Sequence, residues 1–273
     1  MTSASPTGTV DSGTDKLLVE IAGPVATVIF NNPAKRNALS SEIRAALPGV
    51  LAALGNDPHV RVLVITGAGD QAFVSGADIS EFPEQRTSAE ARAEFDGGMA
   101  AISRAWAGLD KPVIAMIRGF CIGGGLITAL QADIRIASDE AQFGIPAARL
   151  GLGYGFAGVA ALTSLVGPAW TSEILFSARR FSAAEALAMG LVNRVVPGPE
   201  LRDQVMTLAA TIAGNAPLTI AAAKAAIREA ARSPDRRDLA RVETMVDACF
   251  RSRDYLEGQQ AFAEKRPPVF TGH

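Results

Sequence analysis

Apolar residues in the first two-thirds of the chain fall in short, nearly unbroken runs, separated by longer stretches with helical spacing. "KLLVEI" (16–21) and "VATVIF" (25–30) flank "AGP", a turn signal, and predict a β-hairpin. "SSEIRAALPGVLAAL" (40–54) opens on serines suited to capping, then places Ile43, Ala46, Val50 and Leu54 at helical spacing. "RVLVITG" (61–67) predicts a buried strand that closes on glycine, and a helix is expected around 88–109. Two further strands are predicted at "PVIAMIR" (112–118) and "DIRIAS" (133–138).

The last third changes period. From 201 to 231 the spacing is helical, with Leu201, Val205, Leu208 and Ile212 on one face. Pro217 interrupts it and suits the first turn of a second helix, and a third is expected over 237–251. The switch predicts a β-rich core over 15–198 and a helical region over 199–273. The opening residues 1–14, "MTSASPTGTVDSGT", are small and polar and predict a flexible tail, because they cannot bury enough surface to offset the entropy of ordering. That stretch has no basic end and no apolar core, so neither a signal peptide nor a membrane span is expected there.

Composition narrows the chemistry. A chain of 273 residues can bury a large core, and a formal charge of −2 gives no reason to expect nucleic acid or an anionic membrane as partner. The two cysteines, Cys121 and Cys249, form no CxxC motif; this fits a reducing compartment, and a cytoplasmic location is expected. The two histidines, His59 and His273, lie before a strand and at the last residue, which excludes a Ser/His/Asp triad or a histidine metal site.

Two glycine-bearing stretches remain. "FVSGADISEF" (73–82) and "CIGGGLI" (121–127) share one layout: a strand end, small residues, then a helix start. Each would present free backbone N–H groups where a helix dipole favours negative charge. Facing each other, they would make an oxyanion hole; separately, they would be ordinary tight turns into helices. "GLGYG" (151–155) is a weaker rival as a dinucleotide fingerprint, since it lacks a preceding strand and a later acidic residue.

Longer segments carry a resemblance. "NNPAKRNALS" (31–40), "VLVITGAGDQAFVSGADISEF" (62–82), "KPVIAMIRGFCIGGGLITALQADIRIAS" (111–138), "FGIPAARLGLG" (143–153), "GLVNRVVP" (190–197) and "GQQAFAEKRPPVF" (258–270) resemble, in order, the crotonase superfamily, the enoyl-CoA hydratase/isomerase group. The resemblance implies an α/β spiral of ββα units, a helical C-terminal region that forms a homotrimer or a dimer of trimers, and an acyl-CoA thioester as substrate. No separate cofactor is implied, because coenzyme A arrives as part of the substrate. The oxyanion donors carry over to the backbone N–H groups of Ala77 and Gly124. Contacts to coenzyme A carry over to Lys35, Arg36 and Ala38, to Ser75, Ala77, Asp78 and Ile79, and to Phe262 and Lys265, the last two reaching from a neighbouring subunit.

The resemblance also implies two glutamates for hydration, and their positions fall on Ile127 and Ala147. A third acidic position used elsewhere in the superfamily falls near Gly155. None of these residues can move a proton. Polar residues left near the site are Glu81, Glu84, Cys121, Arg149 and Tyr154. Tyr154 resembles in position a tyrosine of methylmalonyl-CoA decarboxylases, and decarboxylation suits a site without a strong base, since the departing carboxylate supplies the electrons. The expected function is an acyl-CoA enzyme that stabilises a thioester enolate. Its alternatives are a malonyl-type decarboxylase using Tyr154 and a catalytically silent acyl-CoA binder.

Overall fold

The computed structural model describes residues 7–81 and 88–273. Its first sheet has seven strands in the order β1 (Thr7–Thr9), β2 (Leu17–Ala22), β3 (Val25–Phe30), β4 (Val62–Gly67), β6 (Val113–Ile117), β8 (Ile134–Ser138) and β11 (Arg194–Val196). A second sheet orders β10 (Phe181–Ser182), β9 (Gln142–Gly144), β7 (Phe120–Ile122) and β5 (Ala72–Val74). The predicted hairpin forms as β2 and β3, paired Leu17 to Phe30 and Ala22 to Val25. From β3 through β11 the first sheet is parallel. Strands β4 and β6 are almost wholly buried, as continuous apolar runs covered on both faces must be.

Each long parallel strand is followed at once by a short one in the second sheet: β4 by β5, β6 by β7, β8 by β9. This repeat is the spiral. Between the sheets and the helices α1 (Ser41–Asn56), α2 (Ala89–Ala107) and α3 (Gly124–Ala129) lies the main core, built on Phe30, Leu63, Ile65, Phe73, Ile117 and Phe143. Helix α1 starts where predicted, and the Ser40 side chain accepts a bond from the Ile43 N–H. Helix α4 (Phe156–Ser177) lies between β9 and β10, and α5 (Ala183–Ala188) follows β10. Helix α4 is long and apolar enough to cross a membrane by length and composition, but its course breaks at Gly167 (φ 76°) before Pro168.

The helical region begins near the predicted point, with α6 (Leu201–Ala213), α7 (Pro217–Ala230), α8 (Leu239–Phe250) and α9 (Arg253–Glu264). Its first helix is not an appendage. Leu201, Val205, Ala209 and Ala213 of α6 pack on Val25, Val64, Ile114 and Ile136, closing the outer face of the first sheet. The tail after α9 folds back, with Asp254 accepting bonds from the N–H groups of Thr271 (2.7 Å) and Gly272 (2.8 Å). One expectation is corrected. The flexible tail does not run through residue 14, because Thr7–Thr9 pair antiparallel with Glu20–Ala22 and gain a sheet edge that composition cannot reveal.

Candidate functional site

Strands β5 and β7 are parallel neighbours, and the two glycine stretches leave their carboxyl ends side by side. The first is shaped by "KRNAL". A single helical turn at Pro33–Lys35 ends in Arg36 and Asn37, both at positive φ (51° and 57°). Asn37 is buried and holds that turn: its Nδ2 donates to Ala68 O (2.9 Å) and Ala72 O (2.7 Å), and its Oδ1 accepts from the Asn32 N–H (3.0 Å). Sequence reading passed over this residue, although asparagine is among the few side chains that tolerate a left-handed turn.

The backbone of Leu39 then zips to the second segment. Its N–H donates to Gly76 O (2.8 Å), and its carbonyl accepts from the Asp78 N–H (3.2 Å). In such a parallel bridge the N–H of Ala77, between those two residues, points away from Leu39.

Gly124 comes up against it. Gly123 turns the chain at φ 57°, ψ −120°, a conformation open to glycine, and donates to Gly144 O (2.8 Å). Gly124 begins α3, where the first N–H groups of a helix have no partner within it. A Cβ on Gly124 would stand 3.5 Å from the Ala77 nitrogen, and one on Gly76 would stand 3.7 Å from the Gly124 nitrogen. Among the described residues neither amide donates a hydrogen bond. Two unspent N–H donors this close together are the arrangement that an oxygen gaining negative charge requires.

A polar rim surrounds them. Lys35 Nζ donates to Asp78 Oδ2 (2.6 Å) and Ser80 Oγ (2.8 Å). Burial pushes the Asp78 carboxyl up, but the bonds from Lys35 and Ser80 outweigh it and hold the group below its ordinary value. Ser75 Oγ donates to Lys35 O (3.1 Å), Ala38 is buried beneath, and Ile79 opens a one-turn helix. Arg36 turns elsewhere, its guanidinium lying over the Phe120 ring.

Ile127 and Tyr154 come together over Gly158, whose Cβ position is 3.3 Å from Ile127 Cδ1 and 3.5 Å from Tyr154 Cε1. Ala147 is buried in the turn Pro146–Leu150 and accepts from the Leu152 N–H (3.0 Å). The Tyr154 hydroxyl makes no hydrogen bond among the described residues, and burial pushes its pKa up to about 12, so it stays protonated.

The other candidates are dispersed. Glu81 reaches the start of α1, accepting from the Ser41 N–H (2.9 Å) and pairing with Arg44 (3.3 Å); a carboxylate there favours the helix dipole and is committed to structure. Glu84 lies outside the described residues. Cys121 is fully buried, and burial holds its thiol far above the ordinary range. Gly155 caps α4. Arg149 is exposed and has no carboxylate partner among the described residues. Phe262 is 88% exposed on α9, and Lys265 caps that helix at φ 53°; neither bonds to the loops of its own chain. A cavity of about 1130 Å³ is lined by Pro24, Arg61 and Pro112, the residues that lead into β3, β4 and β6, and so lies at the opposite end of the sheet.

Residues 20–273 match the family model described as enoyl-CoA hydratase/isomerase. The chain belongs to that family. It is a family of enzymes, and the spiral of parallel strands is the crotonase fold. Among curated relatives, a short-chain-enoyl-CoA hydratase of Clostridium acetobutylicum is 37% identical over 252 residues, covering 92% of this chain and 96% of its own. A crotonyl-CoA hydratase of Syntrophomonas wolfei is 36% identical over 256 residues, covering 94% and 98%. A solved enoyl-CoA hydratase/carnitine racemase of Magnetospirillum magneticum superposes with a TM-score of 0.88 at 34% identity, covering 95% of this chain and 97% of that one. The family member described here carries Ile127 and Ala147 at the two positions where the sequence resemblance implies glutamate.

Proposed function

We propose that this enoyl-CoA hydratase/isomerase family member binds an acyl-CoA thioester and holds its carbonyl oxygen between the N–H groups of Ala77 and Gly124 as an enolate forms. The observation that carries this reading is the pair of unspent amides at the ends of β5 and β7. A thioester carbonyl gains negative charge on oxygen when its α-carbon loses a proton or a carboxylate, and fixed donors stabilise that charge without reorganising. Lys35, Ser75, Ala38, Asp78 and Ile79 form the rim along which coenzyme A lies, Arg36 stands at its edge, and Phe262 and Lys265 complete it from a neighbouring subunit. Coenzyme A comes with the substrate, so no resident cofactor is assigned. Both cysteines are free, which suits the reducing cytoplasm.

Hydration is the weaker activity of such a site. Water adding to the β-carbon must lose a proton and the α-carbon must gain one, and neither Ile127 nor Ala147 transfers protons. General acid–base groups contribute roughly 10²–10⁴-fold each, so their joint absence removes several orders of magnitude. Tyr154 favours a second reading, decarboxylation of a malonyl-type thioester. Its hydroxyl is protonated, unpartnered and beside Ile127, where it can donate to the substrate carboxylate. The C–C bond electrons would pass into the enolate, carbon dioxide would leave, and a solvent proton would close the reaction at the α-carbon.

Calorimetry with butyryl-CoA and butyrate, alongside turnover on crotonyl-CoA and malonyl-type thioesters, tests both readings. The thioester is expected to bind and the acid not to; equal affinity for both would overturn the assignment. Binding without turnover of any thioester would identify a silent acyl-CoA binder.

A further inference from the structure

At the far end of the first sheet, away from the two amides, the cavity beside the entries to β3, β4 and β6 encloses about 1130 Å³. That is just above the roughly 300–1,000 Å³ of pockets that enclose drug-sized ligands. Part of its wall is aliphatic, with Leu109 after α2, Ile212 on α6, and Leu218 and Ile220 on α7. Three cations line the same space: Arg61 before β4, Arg104 in the last turn of α2, and Lys111 before β6. None of them has a carboxylate partner in an ion pair among the described residues.

Their hydrogen bonds leave the charge uncompensated. Arg61 donates to the carbonyl oxygens of Ala213 (3.0 Å) and Phe270 (2.6 Å), and Lys111 donates to those of Leu54 (2.7 Å) and Asp57. Arg104 makes no hydrogen bond among the described residues. Of the acids nearby, Asp110 is paired with Arg241 (3.0 Å), and the Asp57 carboxylate turns to the His59 N–H (2.8 Å). Burial pushes the Lys111 pKa down, with Asp57 opposing it, so a further negative charge in the cavity favours the charged lysine.

We propose that this cavity binds a free amphipathic carboxylate, its head among Arg61, Arg104 and Lys111 and its hydrocarbon chain against the aliphatic wall. A guanidinium fork matches the two oxygens of a carboxylate, and a flexible chain follows aliphatic side chains from three elements. The wall removes the chain from water, so affinity rises with chain length. The site lies at the opposite end of the sheet from Ala77 and Gly124 and does not rest on the thioester reading.

Decanoate is titrated calorimetrically into the full chain, wild type beside Arg104→Gln and Ala52→Phe. Both residues line the cavity from exposed helix positions, and circular dichroism checks that the fold is kept. The first change removes a charge, and the second fills space that the chain would take. Wild type is expected to bind decanoate, Arg104→Gln to bind it roughly threefold to fivefold more weakly, and Ala52→Phe to bind it more weakly still. Butyrate has too little chain to gain from the wall and is expected to bind about 100-fold more weakly or worse. Saturating butyryl-CoA is expected to leave decanoate binding unchanged. Absence of decanoate binding, equal affinity for butyrate, unchanged affinity in both variants, or displacement by butyryl-CoA overturns the proposal.

Discussion

A methyl group added at Gly124 would stand 3.5 Å from the Ala77 nitrogen, an ordinary contact, whereas one at Gly125 would stand 1.9 Å from Val74 O. The neighbouring substitutions therefore separate chemistry from folding. Gly124→Ala is expected to keep its melting temperature while losing roughly 10²-fold or more in turnover, because the methyl occupies the space beside both donors. Gly125→Ala must shift strand β5 and is expected to cost about 1–3 kcal/mol, visible as a lower urea midpoint. If the enzyme decarboxylates malonyl-type thioesters, Tyr154→Phe is expected to lower that turnover about tenfold or more with thioester affinity nearly unchanged, measured by steady-state kinetics beside calorimetry. At this scale the two glycine stretches were legible as open backbone, and the structure sets the amides of Ala77 and Gly124 close together. The role of Glu81 was not legible, because its partners Ser41 and Arg44 are distant in sequence.

Elements are tied together by ion pairs with one buried member each. Lys224 of α7 donates to Asp133 (2.7 Å) and to Lys111 O (2.6 Å), while Asp133 also accepts from the Val113 N–H (2.7 Å) at the start of β6. Burial pushes the Lys224 pKa down, with Asp133 opposing it, so the pair joins helix to sheet at some desolvation cost. Lys224→Met is expected to destabilise by about 1.5–3 kcal/mol in a chemical denaturation series, since the Lys111 carbonyl and Asp133 lose a charged donor. The Lys35–Asp78 pair does the same for the two loops. Because the Asp78 carboxyl is held below 3.8, its contribution is present above that pH and is lost as pH falls through the lower folded value. The melting-temperature gap between wild type and Asp78→Asn should therefore be open at pH 7 and shrink by pH 3. The hairpin, the strands β4, β6 and β8, and helices α6 to α8 were readable from periodicity. Helix α4 was not, because it is apolar on nearly every face and broken at Gly167.

The whole molecule leaves large apolar side chains in water. Ile227, Leu239, Phe250, Leu256 and Phe262 are 57–88% exposed, all on the last three helices. A lone subunit gains nothing by exposing them, and covering them with copies of itself recovers about 25 cal/mol per Å² of apolar area. Light scattering at micromolar concentration is expected to give the mass of a trimer or a dimer of trimers. A monomer of 28.4 kDa would count against it and would also leave Phe262 and Lys265 without a neighbouring site to complete.

By itself, the sequence determined the hairpin, the long central strands, α1 and the first C-terminal helices, since apolar periodicity and turn residues act over a few positions. It also put apolar residues, Ile127 and Ala147, at the two positions where the resemblance implies glutamate. Only the tertiary structure decided which groups meet. The Ala77 and Gly124 amides lie 47 positions apart, and they become neighbours because β5 and β7 pair in parallel. Lys35 and Arg36 are adjacent in the chain, yet a left-handed turn sends one to Asp78 and the other to Phe120. Arg36 and Arg180 are far apart in the chain, yet both guanidinium groups reach the Phe120 ring, a meeting that no local pattern announces.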